Sequence, residues 1–327
     1  MNRKKFLSDI VAALLVSTAT VPAAYAQVTL TLINEYPGTS ITATADLQFA
    51  EHVEKLSGGA LHVKTLQESD NPYKGADQVD AVTQGRVQMG TLFGGILGAR
   101  DSLFLLSSLP FAARDFEQAR AIYTCAKPAL EERAERLNAR LLYVTPWPPS
   151  GVWSVAPLEN ADALNQLKIR TYDETSKSVF EGLGAESVHL PYSALAEKLA
   201  ADEVNAVLTS GDGGAGRRLW NHLPHFTAVN YSIPLSYTII NKDVWNSLDS
   251  DQRAILNKAA EQVAQASWSG VEQRISANYA RMRENNMTLN TEPSSSVMDA
   301  LRKAGAKETE AWLKKNKLTK NEAACLS

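Results

Sequence analysis

The amino-acid sequence predicts an α/β protein of two domains, on the basis of three observations. Between Val28 and Leu92, β-rich segments alternate with segments of helical spacing in the order βαβαβ, which is typical of a parallel sheet covered by helices. The breaking sequence at 146–151 is the best candidate for a crossing between domains. A proline-free helical pattern at 250–285 would measure on the order of 50 Å. Because one small domain is narrower than that, this helix is expected to lie across both.

Length, charge and the N-terminus place the chain among exported globular proteins. Its 327 residues fit two domains, and a net charge of −3 without a basic block gives no support for nucleic-acid binding. A basic start at 3–5, an apolar run at 10–16 and small residues up to Ala26 form a signal peptide. No later segment reaches transmembrane length, so the mature chain is not expected to be membrane-embedded.

Alternation, helical spacing and glycine or proline stops give the individual elements. Strands are expected at 28–34, 60–66, 87–92, 141–145, 153–156, 168–171, 187–190, 206–209 and 287–290, with extended segments at 226–240. Helices are expected at 42–56, 75–84, 115–137 (with a break or kink at Pro128), 175–180, 193–201, 250–285, from Ser294 and near Glu308.

The domain bounds follow from the proposed crossings. Residues 1–26 are assigned to the signal peptide. Domain I is expected at 27–150 plus about 239–275, and domain II at 151–238 plus about 276–327.

Arg170 is the first candidate for a binding residue. It ends a short strand and faces the start of a helix, where a guanidinium could hold a carboxylate. The alternative is a surface arginine paired with Asp173 or Glu174, and the residues of this stretch leave both readings open.

The remaining motifs give weak support for cofactor or metal chemistry. The sequence Gly211-Asp-Gly-Gly-Ala-Gly fits G-x-G-x-x-G, but it comes late in the chain and the next acidic residue is Asp243. A loop whose backbone approaches something closely is favoured over dinucleotide binding. Pro224 interrupts the pair His222 and His225, so no metal site is predicted. We therefore expect neither cofactor nor metal.

Catalysis has one weak candidate, and the cysteines leave one open question. Ser210, before the glycine-rich stretch, is the nearest residue to an exposed nucleophile, but nothing in the sequence supplies its base. An exported serine hydrolase is kept as an alternative. Cys125 and Cys325 could form a disulfide or remain free.

Aromatic residues gather at strand ends and turns around the proposed crossing: Tyr143, Trp147, Trp153, Tyr172 and Tyr192. Core packing accounts for some of them. Several together indicate a cleft with an apolar wall and polar tips.

Several stretches in order resemble the periplasmic solute receptors of TRAP transporters, and the likeness spans essentially the whole mature chain. The signature region is carried by Leu164-Asn-Gln-Leu-Lys-Ile-Arg-Thr, Gly182-Leu-Gly-Ala and Leu190-Pro-Tyr-Ser. Similar landmarks are Leu109-Pro-Phe with Asp115 before a long helix, and Val244-Trp-Asn-Ser-Leu before the longest helix.

The resemblance implies a two-domain periplasmic binding protein fold with crossing strands, one helix spanning both domains and a ligand closed between them. It further implies a periplasmic receptor without catalytic activity that delivers its ligand to membrane permease subunits. Arg170 would pair with the ligand carboxylate. Asn34 would touch ligand at the end of the first strand, and Tyr192 would form an aromatic wall.

This chain departs from the family pattern at three positions. Val152 and Trp153 stand where relatives that bind sialic acid have a second arginine, Phe93 replaces an acidic residue, and Thr209 replaces asparagine. Each change removes a charge or an amide, so the resemblance implies a monocarboxylate or 2-oxo acid with an apolar or aromatic body. The predicted ligand contacts are Arg170, Asn34, Tyr36, Phe93, Trp153, Tyr172, Tyr192, Thr209 and Tyr237.

Two other functions stay open beside the hydrolase. A receptor for a C4-dicarboxylate or a sugar acid would keep the fold and change the ligand. A secreted protein with a purely structural role would bind no carboxylate.

Overall fold

The computed structural model describes residues 27–316 and 318–326, and the predicted signal peptide lies outside these residues. The described strands are, in chain order, β1 Val28–Asn34, β2 Leu61–Gln67, β3 Met89–Phe93, β4 Ala139–Pro146, β5 Ser150–Ser154, β6 Lys168–Thr171, β7 Glu186–His189, β8 Ala206–Ser210, β9 His225–Thr227, β10 Leu235–Asn241 and β11 Thr288–Asn290.

The described α-helices are α1 Ile41–Ser57, α2 Ala76–Thr83, α3 Gly94–Leu97, α4 Phe116–Arg136, α5 Glu174–Gly182, α6 Leu195–Ala200, α7 Gly211–Gly216, α8 Lys242–Ser247, α9 Ser250–Glu284, α10 Ser295–Asn316 and α11 Lys320–Ala324. Short 3₁₀ helices lie at Glu68–Asp70, Ser102–Ser108, Ala161–Gln166, Tyr192–Ala194 and Leu219–Asn221. No described helix has an apolar stretch long enough to cross a membrane.

The first sheet has the strand order β2-β1-β3-β10-β4. Strands β1, β2 and β3 are parallel, as the βαβαβ pattern predicts, and β10 lies antiparallel between β3 and β4. Helices α1 and α9 cover one face, where Phe49 and Leu256 pack with Leu32. Helix α4 covers the other face, where Leu130 packs in one core with Ile33. The βαβαβ pattern thus gives a sheet buried on both faces.

The second sheet has the order β11-β9-β5-β8-β6-β7. Strand β6, which carries Arg170, pairs parallel with both β7 and β8. Strand β5 is antiparallel to β8 and β9. The carboxyl ends of β6 and β8 therefore open on the same edge of the sheet.

The chain passes directly from one sheet to the other at two places. Strand β4 of the first sheet ends at Pro146, and β5 of the second begins at Ser150. Strand β9 of the second sheet ends at Thr227, and β10 of the first begins at Leu235. Both connections are short, so the crossings hold the two sheets next to each other.

Helix α9 is 35 residues long and packs against both halves of the molecule. Val263 belongs to the core of the first sheet, and Val271 and Met282 belong to cores of the second. Asp249 begins the helix with a capping box completed by Gln252. The predicted α/β class with crossing strands and one long bridging helix is confirmed.

Two stretches that the sequence predicts as breaks are helical. The glycine-rich stretch expected as a loop is α7, and helices expected from Ser294 and near Glu308 form one helix, α10. The glycines of both serve close packing. A Cβ on Gly214 would lie 2.1 Å from the Trp153 ring, and one on Gly305 would lie 2.8 Å from Pro110. Helix α4 likewise continues through Pro128.

Cys125 and Cys325 form a disulfide. The bond joins α4 to the residue that follows α11, across a sequence separation of 200. The question left open by the sequence is therefore answered in favour of the bridge, which holds the end of the described chain against the first sheet.

Asp212 of α7 links the two halves away from the sheets, and we call its set of contacts the Asp212 latch. One carboxylate oxygen accepts the backbone N–H of Ile41, at the start of α1, at 2.8 Å. The other accepts the Asn278 amide at 3.0 Å and the Nε–H of Arg274. Arg274 also donates to the carbonyl of Thr39. Thus α1, α7 and α9 meet at one buried carboxylate.

Candidate functional site

A small cavity lies where the strand ends of the two sheets face each other. Its volume is about 20 Å³, room for about one water molecule. The lining comes from both halves and from the crossings: Tyr36, Phe93, Trp147, Ser150, Arg170, Tyr172, Tyr192, Thr209, Ser210 and Pro234.

A second cavity of about 240 Å³ adjoins the first and shares five of its residues. The shared residues are Tyr36, Phe93, Arg170, Tyr172 and Tyr192, and the second cavity adds Glu35, Gly75, Ala76, Gly95, Ile96, Ala99, His189 and Pro191. Both cavities therefore meet at the Arg170 guanidinium and the rings around it.

Arg170 is buried, with 3% of its surface exposed. Its Nε–H and an Nη2–H both donate to the carbonyl of Leu190, at 2.9 and 2.6 Å. This fork fixes one edge of the guanidinium, and Arg170 lines both cavities. Burial lowers the pKa of Arg170, but an arginine keeps its charge in proteins.

The alternative of a surface arginine paired with Asp173 or Glu174 is wrong. Asp173 caps α5 by accepting the Ser176 N–H at 2.7 Å, and Glu174 contacts His189 at 2.8 Å. Within the described part of the chain, Arg170 has no carboxylate at ion-pair distance. A buried cation in this setting calls for an anionic partner.

The aromatic rings form a wall with fixed orientation. Tyr36 packs against Trp147 and Tyr192, with ring centroids 4.7 and 4.5 Å apart, and Phe93 meets Tyr172 edge to face at 5.4 Å. Hydrogen bonds hold the polar tips: the Trp147 N–H donates to Ser236 at 2.9 Å, and the Tyr192 hydroxyl donates to the Gly213 carbonyl at 2.7 Å. The rings therefore present their faces to the cavities, and these faces are largely apolar.

Six of the nine predicted contact residues line the first cavity: Tyr36, Phe93, Arg170, Tyr172, Tyr192 and Thr209. The other three lie behind its wall. Asn34 donates to Asp46 at 2.7 Å and accepts the Tyr36 N–H at 3.0 Å, so it orients the backbone of a lining residue. Trp153 packs against Phe226 in the core of the second sheet, with ring centroids 5.3 Å apart.

Tyr237 is the third residue behind the wall. It packs edge to face on Phe104 at 5.1 Å in the core of the first sheet. Its neighbour Ser236 instead accepts from Trp147, because successive strand side chains point to opposite faces. Strand position alone did not reveal which face of β10 meets the cavity.

The predicted contact set omits five polar or aromatic lining residues, Glu35, Trp147, Ser150, His189 and Ser210, and the lining proline Pro234. Trp147 and Ser150 lie in the break at 146–151, which was the signal that could have found them, and Pro234 lies at the second crossing, just before β10. Ser210 has a structural role here, since its hydroxyl caps α7 by accepting the Gly213 N–H at 3.1 Å. The described residues contain no group of three or more side chains suited to hold a metal ion.

Comparisons with known proteins agree with this geometry. Residues 34–316 match the model of bacterial extracellular solute-binding protein family 7. A comparison with curated proteins finds no match.

Among solved structures, a pyroglutamate-specific TRAP solute-binding protein from a marine metagenome has a TM-score of 0.86 at 25% identity, over 92% of this chain and 97% of that one. A Bordetella pertussis extracytoplasmic receptor that binds pyroglutamic acid has 0.85 at 24%, over 91% and 98%. A Polaromonas receptor bound to D-erythronate has 0.84 at 16%, over 92% and 99%. The fold, the cavity between the two sheets and the family match lead to one conclusion: this chain belongs to bacterial extracellular solute-binding protein family 7.

Proposed function

We propose that this chain is the extracytoplasmic receptor of a TRAP transporter, working in the periplasm without catalysis. It captures an organic acid between its two halves and delivers it to membrane permease subunits. Family membership supports the receptor class. The observation that carries the ligand class is Arg170, a buried cation without a described carboxylate partner at an aromatic cavity.

The ligand is a monocarboxylate or 2-oxo acid with a compact apolar body. A guanidinium and a carboxylate form a charge-assisted, directional pair, which strengthens as the cleft closes and dries. Among the described residues, Arg170 is the one arginine or lysine in the lining of either cavity. A C4-dicarboxylate or a sugar acid would place its second carboxylate or its hydroxyls against the rings of Phe93, Tyr36 and Trp147. Pyroglutamate, which two of the similar receptors bind, has the required size and single charge.

In this proposal, the two halves of the protein close around the bound ligand. The ligand contacts residues from both halves, so it favours the closed arrangement by its differential affinity for that state. We place the halves at 27–150 plus about 239–275 and at 151–238 plus about 276–327. The closed form is then the one that docks on the permease.

A thermal-shift and calorimetry panel tests the proposal. Pyroglutamate, pyruvate and phenylpyruvate are compared with succinate, malate and galactonate, and we expect stabilisation by one or more of the first group. The Lys168→Ala variant is the matched control, because Lys168 is an exposed cation on the same strand as Arg170. Stabilisation by dicarboxylates or sugar acids alone contradicts the ligand class. A protein that binds no carboxylate at all contradicts the receptor.

The serine hydrolase alternative has little support from the site. Ser210 lines the first cavity, but its hydroxyl accepts the helix-capping hydrogen bond from Gly213 and contacts no histidine among the described residues. A serine-directed covalent probe is expected to leave Ser210 unlabelled. Labelling that disappears in the Ser210→Ala variant would restore the hydrolase.

A further inference from the structure

Glu35 is the acidic residue of the second cavity. It follows β1 directly, is buried with 2% of its surface exposed, and lines this cavity together with Arg170. Its Oε2 accepts the backbone N–H of Gly75 at 3.1 Å. Its Oε1 is buried and has no hydrogen-bond partner within the described residues.

Two described carboxylate oxygens are buried without a hydrogen-bond partner, Glu35 Oε1 and Asp173 Oδ2, and of these two residues only Glu35 lines a cavity with Arg170. Buried polar atoms are almost always hydrogen-bonded, and an exception at a binding cavity marks the place of a missing partner. An ionised carboxylate can only accept hydrogen bonds. Burial raises the pKa of Glu35, while the Gly75 hydrogen bond and the nearby cations Arg170, Lys74 and Arg217 act in the opposite direction. A donor at Oε1 would stabilise the ionised carboxylate and so offset the burial that raises its pKa, and the fitting partner is therefore a donor from the ligand.

The surrounding charges decide which kind of donor fits. Three cations act on the Glu35 carboxyl, and the ligand carboxylate neutralises part of that charge. A ligand ammonium group would add a fourth cation close to Arg170. A neutral N–H group satisfies the oxygen without that repulsion.

We propose that Glu35 Oε1 accepts a hydrogen bond from a neutral N–H group of the ligand while Arg170 holds the carboxylate. The ligand is then a small amide acid, of the lactam or open-chain kind. This inference rests on the proposed receptor function and narrows its ligand class. Glu35 is the residue that determines the specificity, and Gly75 fixes the orientation of its carboxyl group.

Three ligands of one ring size test the proposal by calorimetry on the wild-type protein. They are pyroglutamate, its γ-lactone analogue with ring oxygen in place of N–H, and proline, which carries an ammonium. We expect pyroglutamate to bind about a hundredfold more tightly than the lactone, because the lactone leaves Oε1 facing a lone pair. Proline is expected to bind more weakly than pyroglutamate by a similar factor.

The Glu35→Gln variant gives the second arm. Its amide oxygen can keep the Gly75 hydrogen bond, which turns the NH₂ group toward the ligand. The lactam-to-lactone preference is then expected to collapse to about one. An unchanged unfolding midpoint of the ligand-free variant shows that the fold is kept.

Three results overturn the assignment of Glu35: equal wild-type affinity for lactam and lactone, proline binding as tightly as pyroglutamate, or an unchanged preference in Glu35→Gln. Wild-type protein that binds pyruvate or phenylpyruvate but not pyroglutamate also overturns it and leaves the receptor intact. Only the failure of every carboxylate to bind removes the proposed function itself.

Discussion

At the scale of single residues, the two sides of the guanidinium of Arg170 have different roles. The carbonyl of Leu190 takes up two of its N–H groups and fixes the plane. Arg170 also lines two cavities whose walls consist largely of aromatic rings. A carboxylate bound there would be desolvated and held in one orientation, which is the condition for selective binding of a small anion.

The Arg170→Ala variant is expected to lose at least tenfold in affinity for the acid that binds the wild-type protein most tightly. Tenfold corresponds to about 1.4 kcal/mol, and removing the partner of a desolvated carboxylate costs at least that much. Isothermal titration calorimetry measures it, with Lys168→Ala as the control that keeps wild-type affinity. Unchanged binding by Arg170→Ala would refute its role as the anchor.

Asp46 forms a second polar centre at this scale, behind the cavity wall. Its carboxylate accepts from Asn34 at 2.7 Å, from Thr91 at 2.6 Å and from the Tyr143 hydroxyl at 2.8 Å. Burial raises the pKa of Asp46 to about 7, and these hydrogen bonds only partly oppose the shift. The native state therefore holds a proton that the unfolded chain releases at lower pH.

The stability of the protein is expected to depend on Asp46 with a definite sign. Between about pH 4 and pH 7 the native state binds more protons at Asp46 than the unfolded state, so rising pH lowers the free energy of unfolding. Asp46→Asn removes this contribution. Urea unfolding across this range is expected to show wild-type stability falling relative to the variant as the pH rises. Parallel pH profiles would contradict the protonation of Asp46.

At the scale of elements, α7 shows why a glycine-rich motif can form a helix. Its glycines let the helix backbone lie against the Trp153 ring, and Ser210 caps the first turn. The prediction of close backbone approach at this motif was right, and the prediction of a loop was wrong. A glycine-rich pattern indicates that another group can approach the backbone closely, and tertiary packing determines which group does so.

Two helical glycines give a matched pair of substitutions. A Cβ on Gly214 would lie 2.1 Å from Trp153, whereas one on Gly270 in α9 meets nothing within 4 Å. We expect Gly214→Ala to destabilise the fold by about 1–3 kcal/mol and Gly270→Ala to stabilise it by about 0.5–1 kcal/mol. Chemical denaturation measures both. Equal effects of the two substitutions would show that the contact with Trp153 is relaxed at little cost.

Much of the element order could be predicted from the sequence, because local rules govern it. Alternation predicts β1 and β2, and the proline-free pattern predicts α9 to within one residue at its end. The site was harder to predict. Arg170 and the rings at strand ends could be predicted from their positions in the strands. The contributions of Glu35 and Pro234, and the face of β10 that meets the cavity, depend on how the two sheets pack together, which no local pattern encodes.

At the scale of the whole molecule, covalent and noncovalent links hold the two halves in register. Helix α9 packs on both sheets. The disulfide from Cys125 to Cys325 closes a segment of the chain that includes every strand of the second sheet. The cavity lies between the two sheets, so its walls move when the sheets move.

The Asp212 latch is expected to set how often the halves adopt the described arrangement. Asp212→Asn weakens the acceptor for Arg274 while keeping an oxygen for the N–H of Ile41. Only molecules in the described arrangement of the halves can bind ligand, so the measured affinity falls in proportion to their fraction. We therefore expect a several-fold weaker affinity, with the unfolding midpoint nearly kept. Small-angle X-ray scattering of the ligand-free variant is expected to show a larger radius of gyration. A wild-type radius together with wild-type affinity would contradict this role.

The hydrogen bonds of the latch involve no residue that lines either cavity. A change there multiplies the dissociation constants of all ligands by one common factor, and the ratios between ligands stay fixed. Evolution can therefore adjust the concentration range over which the receptor fills without altering which acid it selects. On the roles proposed for these residues, sensitivity would be adjusted at Asp212 and selectivity at Arg170 and Glu35.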